Sequence, residues 1–433
     1  MGRGGAEEFV LEFDEPDHAP DTAEPAHGPA GRRRKRRGVP RPLALWAGVA
    51  VLLVVAGILV APPPPGPSFG VSPGWASAPV PQWSVPVVAT EAFPGVWVQE
   101  DHVLVVGKDR LDAYDRADGT HRWSVTDVGQ CMLAQSTPVC VSGSGADAHV
   151  AIVGDDGTVR EVVAPGAVAA TLHQGDLAVL TGTAVMGYEL TLHAGLDLAE
   201  PRWSAAVEAP DELLGGAPPG VLVWGDLLLV TTTGALFRAR NGEQVPGNWA
   251  YQLQESPLIG WGGDRMQQIL PGTDRVMDLP AIGWTALIDD GAPPQVTIVQ
   301  SAAGAGDSVE AVNEDGQVLW QSTIAFPIAR LGDVLLMTTP GDSMARAPTS
   351  GDLLWSSPVR LACPCRGDSS GLLMYAYEID TEGAQTDTRL IGLRVADGEV
   401  LWEVPLADGA MVGDADDAFA VLVDQQLTLY SRT

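Results

Sequence analysis

From about residue 80 onward the chain alternates short apolar runs with polar turns. Residues 103–123 show the unit most clearly. Val103-Leu-Val-Val106 is followed by Gly107-Lys-Asp-Arg110, then Leu111-Asp-Ala-Tyr-Asp115, then Arg116-Ala-Asp-Gly119 and Thr120-His-Arg-Trp123. Three β-prone runs are separated by two turn signals, and the unit recurs to the C-terminus. A unit this small cannot bury its own apolar faces, so the repetition implies stacking of neighbours.

Four copies share one ending: Gly119-Thr-His-Arg-Trp123, Gly316-Gln-Val-Leu-Trp320, Gly351-Asp-Leu-Leu-Trp355 and Gly398-Glu-Val-Leu-Trp402. Asp118, Asp315 and Asp397 precede the glycine in three of them. Asp-Gly marks a tight hairpin because glycine accepts positive φ at little cost. The run after the turn reads as an outer strand whose Trp wedges between adjacent sheets. Weaker copies end at Glu161, Trp203 and Trp249, and Trp83 supplies a first mark. The steps from 83 to 123, 161, 203 and 249 are 40, 38, 42 and 46 residues, and those from 320 to 355 and 402 are 35 and 47. A period near forty with three or four strands per unit predicts a β-propeller.

The marks at 83, 123, 161, 203, 249, 320, 355 and 402 predict eight blades, with seven the alternative, and the 71-residue step from 249 to 320 holds either an insertion or a ninth mark. That step contains Trp261 and Trp284 and reads as one large degenerate blade. The strand at Trp83 has no predecessors, whereas 418–423 and 427–430 have no Gly…Trp successor. Pairing the two ends completes one blade and removes the exposed edges of an open array.

The N-terminal hundred residues follow another pattern. Residues 1–42 are Pro-rich, poor in large apolar groups and predicted to be disordered. Within them, Glu8–Pro16 alternates apolar and acidic residues and reads as plain tail, with a docking motif for a cytoplasmic partner as the alternative. Arg32-Arg-Arg-Lys-Arg-Arg37 then precedes a run of nineteen uncharged residues, 43–61. Nineteen residues at a rise of about 1.5 Å reach about 28 Å, close to a bilayer's hydrocarbon thickness. The basic residues lie before the span and none directly after it. This predicts a single-pass transmembrane helix with a cytoplasmic N-terminus and an extracytoplasmic body. Pro62-Pro-Pro-Pro65 directly after the span argues against cleavage as a signal peptide. Residues 62–81, rich in Pro, Gly and Ser, predict a semi-rigid stalk, and 82–433 the propeller.

Composition sharpens the picture in two places. Thirteen of the 26 aromatic residues are Trp, concentrated at matching points of the repeat. Residues 1–61 carry equal numbers of basic and acidic side chains, so the net charge of −30 falls wholly on the remainder. Such a body repels phosphates and excludes nucleic acid as a partner.

Leu111-Asp-Ala-Tyr-Asp115 followed by Asp118-Gly119…Trp123 resembles the repeat of pyrroloquinoline-quinone (PQQ)-like propellers. That group includes quinoprotein alcohol dehydrogenases and the outer-membrane assembly factor BamB. The anchor, stalk and acidic, Gly/Ala-rich body are similar to actinobacterial membrane-anchored members. The resemblance implies two functions of different class: a BamB-like binding scaffold, or a quinone-dependent dehydrogenase with PQQ and Ca²⁺ near the axis. Many of those enzymes carry adjacent cysteines against the cofactor. Here the nearest match is Cys363-Pro-Cys365, with one residue inserted.

The residues themselves point to little chemistry. Cys131 and Cys140 bracket eight residues and are placed to join neighbouring strands of the second blade. Cys363 and Cys365 are open to pairing with one another, elsewhere, or with a metal. All four favour disulfides in an exported body. Asp414-Ala-Asp-Asp417 lacks the spacing of a calcium loop and reads as a solvated turn. The His residues are scattered, with no HExxH, and Ser142 and Ser144 lack the context of a nucleophile elbow. The sequence therefore predicts a binding or scaffold module for a cell-envelope protein or polymer, with no catalytic, cofactor or metal residue assigned. The alternatives are the quinone-dependent dehydrogenase and an ectodomain sensor relaying to a partner at residues 8–16.

Overall fold

The structure is a computed structural model. It describes Val49 and residues 66–432, apart from 89–94, 108, 135, 209–218, 251–255, 263–264, 280–281, 294, 302–307, 314 and 380–384. Contacts divide the chain into two units, residues 1–62 and 63–433, and every described strand belongs to the second. The tail with its 8–16 motif lies outside the described residues, as does the span 43–61 apart from Val49. Among the described residues no helix is long and apolar enough to cross a membrane.

The body is an all-β propeller. Residues 95–126, 130–163, 167–207, 221–245, 248–278, 283–323, 326–357 and 360–405 form blades 1–8 in chain order. Blade 9 takes three strands from 411–431 and its outermost from Val80–Pro86. Each blade is an antiparallel meander of four strands. The second strands are the most buried, as in His102–Val106 and Val334–Thr338, because neighbouring blades cover both of their faces. Blade 7 gains a fifth strand, Ile288–Asp289, running parallel inside Phe326–Leu331. Val80–Pro86 pairs antiparallel with Gln426–Ser431, so the two ends of the chain share blade 9.

There are nine blades, not eight or seven. Residues 248–323 build two sheets where one degenerate blade was expected. Blade 5 ends in Val276–Asp278, which carries neither the Asp-Gly turn nor a Trp, so it leaves no mark in the sequence. Trp249 is also misplaced by the repeat reading. Pro246 and Gly247 stop the outer strand of blade 4 after Gln244–Val245, and Trp249 falls on Asn248–Ala250, the first strand of blade 5.

The other six marker tryptophans lie on outermost strands, and five of them dock in one way. Each indole N–H donates to a backbone carbonyl at the next blade's third turn: Trp83 to Arg116, Trp123 to Asp155, Trp203 to Ala239, Trp320 to Pro348 and Trp355 to Val395, at 2.7–2.9 Å. The ring covers the turn glycine, at Gly119, Gly157, Gly242, Gly351 and Gly398 in turn. Trp402 meets no such turn, because the outermost strand of blade 9 is Val80–Pro86 and does not follow Gln426–Ser431 in the chain. Its N–H donates instead to the carbonyl of Trp75, at 2.7 Å.

That replacement revises the stalk. Residues 66–79 lie on the propeller. Gly66 N–H donates to the Gly291 carbonyl, Phe69 exchanges both backbone bonds with Asp289, Ser72 N–H donates to Gly367, and Trp75 N–H to Gly371. Phe69 is buried, and Trp75 is wholly so, against Trp402 and Phe419. Proline density makes a segment extended, but an extended segment also offers all its backbone groups to a surface. Two large aromatic residues give this one a reason to dock.

Candidate functional site

The first strand of each blade faces the axis, and the axial space is where residues distant in sequence converge. The segment around Leu287 and the bulged strand Arg360–Asp368 divide it. In that strand the register slips between Ala362 and Arg366, so Cys363-Pro-Cys365 swings out of the ladder, with Cys365 at positive φ. Cys363 and Cys365 are bonded to each other, which settles the pairing left open by the sequence. Cys131 and Cys140 are cross-strand partners in blade 2 and are also bonded.

On one side of this partition lies a cavity of about 370 Å³ lined by Val96–Val98, Leu133, Gly70, Leu287, Cys365, Arg366 and Val412–Asp414. Arg366 Nε donates to Asp414 at 2.6 Å and its guanidinium reaches Asp416 at 3.7 Å. Asp417 accepts from Arg116 at 2.5 Å. Asp416 and Asp417 are exposed in a turn, as expected, and the arginines Arg366 and Arg116 reach the run from either side. Beside it, burial and then the Asp414 charge push the Tyr375 hydroxyl up to about 12, so it stays protonated at neutral pH.

Across the partition lies a second cavity, about 310 Å³, lined by Pro257, Ile259, Trp284, Leu287, Phe326–Ile328, Thr338 and Arg360–Cys363. Trp284 meets Phe326 edge to face at 5.2 Å. Arg360 stacks its guanidinium 5.6 Å from the Tyr377 ring centre. Buried Arg330 forks onto Asp289 and also donates to the Ala292 carbonyl. Burial pushes the Asp289 carboxyl above the usual carboxylate range, and the Arg330 hydrogen bond opposes that shift. Asp289 is also the residue that pairs with Phe69, so the buried ion pair positions the landing strip of the N-terminal segment.

Sequence reasoning placed six of the seven marker tryptophans on outermost strands and paired Cys131 with Cys140, but missed the arginines Arg330, Arg360 and Arg366. All three sit in unremarkable strand sequences. The signal available was scarcity: basic side chains are few after residue 61, so each arginine facing the core stands out.

No protein-family model matches the chain, and no curated protein matches it. Among solved structures, BamB from Moraxella catarrhalis is similar at 12% identity and a TM-score of 0.44, over 82% of this chain and 100% of that one. The quinohemoprotein alcohol dehydrogenase of Comamonas testosteroni is similar at 11% identity and 0.37, over 82% and 76%. The dihydro-heme d1 dehydrogenase NirN follows at 14% and 0.34, over 83% and 84%. The sheets themselves show the fold, a β-propeller.

The described residues do not assemble a PQQ–calcium centre. Calcium wants several converging oxygen ligands. Among the described residues no three His, Cys, Asp or Glu side chains gather, and the axial carboxylates Asp289 and Asp414 are held by arginines.

Proposed function

We propose that this protein is a membrane-anchored, extracytoplasmic binding module that presents its rigid propeller to a cell-envelope protein or polymer. The reading is supported chiefly by the axis of the ring. There, every grouping of charged residues among those described is an internal ion pair or a stack, which fixes shape without assembling a nucleophile, base or metal cage. Such an interior suits recognition more than turnover. The apolar span 43–61 with its preceding basic run supports the anchor and the orientation.

In-cell crosslinking of the tagged full chain, followed by mass spectrometry of what co-purifies from membranes, tests this. A recurrent envelope partner crosslinked to propeller residues is the expected result. Crosslinks confined to cytoplasmic proteins through the tail would overturn it.

A further inference from the structure

In a body of net charge −30, an arginine beside an apolar cavity with no acidic partner is out of place unless a ligand supplies the partner. Arg360 is that residue. Of the other buried or half-buried arginines of these blades, Arg330 forks onto Asp289 and Arg366 donates from Nε to Asp414. Arg360 has no carboxylate partner among the described residues, and its buried Nε has no hydrogen-bond acceptor. An unsatisfied donor of this kind is costly to bury. The residue is nevertheless held firmly. It opposes Tyr377 across the sheet and stacks on that ring. The following residue is pinned as well, Leu361 N–H donating to the buried Ser343 hydroxyl at 2.9 Å.

The cavity that Arg360 borders is mainly apolar, with Thr285 and Thr338 the other polar side chains on it. Trp284, Phe326, Ile328, Leu287 and Leu361 form its walls, in about 310 Å³. That is the low end of the about 300–1,000 Å³ typical of small-molecule sites. Apolar walls with one convergent cation describe a ligand with an apolar body and a single anionic end. A guanidinium edge meets a carboxylate through two parallel hydrogen bonds. A phosphate dianion would bring more charge than one fork neutralises, against the repulsion of the whole body.

We propose that this cavity binds a small monocarboxylate with an aromatic or branched aliphatic body, its carboxylate on Arg360 and its body against the paired rings of Trp284 and Phe326. This goes beyond the scaffold reading, since it needs neither an anchor nor an envelope partner.

The test is calorimetric titration of the full chain in lipid nanodiscs with phenylacetate and 4-methylpentanoate, against the neutral isosteres phenylacetamide and 4-methylpentanamide. At least one acid is expected to bind about tenfold or more tighter than its amide, the worth of a charge-assisted pair. Arg360→Gln should abolish that difference while the melting profile stays cooperative. Ala362→Leu, which fills the cavity without touching the charge, should weaken acid and amide together. Equal affinity for acid and amide, no binding of either, or an acid preference that survives Arg360→Gln would overturn the proposal. If Arg360→Gln fails to fold, the acid–amide comparison on the unaltered chain and the Ala362→Leu result still decide. Loss of the envelope partner in crosslinking would leave this result untouched, so the two proposals fail separately.

Discussion

The contact that repeats around the ring is small: one indole, one glycine and one carbonyl. Gly351 shows why it tolerates no substitution. Its φ is +72°, and a Cβ added there would lie 2.5 Å from Cγ of Trp320. The left-handed backbone alone costs an L-residue about 1–2 kcal/mol, and the clash adds to it by prising the Trp320 N–H from the Pro348 carbonyl. Gly351→Ala should therefore lower unfolding free energy by about 2 kcal/mol or more, read from denaturant titration. His193 is a different case at the same scale. It is buried, its Nδ1 has no hydrogen-bond partner, and burial lowers its pKa below 6.5. A depressed folded pKa means the unfolded chain takes the proton first. The stability this contributes is fully present above pH 6.5 and is lost as pH falls through the folded value. Melting temperature should thus fall between about pH 7 and pH 5, and less so in His193→Gln.

At the scale of elements, the segment 66–79 has the greatest leverage. It replaces the turn that blade 9 lacks and seats Trp75 where Trp402 needs a carbonyl. Trp75→Ala should cost about 3–5 kcal/mol, the usual range for a fully buried tryptophan, and should expose the pairing of Val80–Pro86 with Gln426–Ser431 to faster amide exchange. Unchanged exchange in those strands would show that blade 9 holds without it. Composition concealed this role, because proline and glycine describe a chain's local preference and not what lies beside it. Phe69 and Trp75 were the legible clue. Among residues chosen for solubility, two aromatics of core size have no use unless a surface receives them.

For the whole molecule, the propeller was readable because its signature is local: each Asp-Gly turn and Trp falls within one short hairpin. Blade number was misjudged where the signature lapses, in blade 5 ahead of its seam with blade 6. There the packing is also thinnest. Buried apolar clusters link blade 9 to 1, 1 to 2, 2 to 3, 3 to 4, 4 to 5, 6 to 7, 7 to 8 and 8 to 9. Among the described residues none of these clusters joins 5 to 6. The axial cavities were beyond sequence reasoning for the opposite reason. Arg360, Trp284 and Phe326 come from three blades, and no local spacing records that they meet.

The N-terminal segment also decides how the protein carries load. A pull on the chain ahead of Gly66 meets the bonds at Gly66 first, then those at Phe69, Ser72 and Trp75 in series, from the axis outward. Only when Trp75 leaves its socket does tension reach the rim strand that locks the ring. Residues 66–79 thus work as the strain relief on a cable, yielding in steps so that the joint behind them does not.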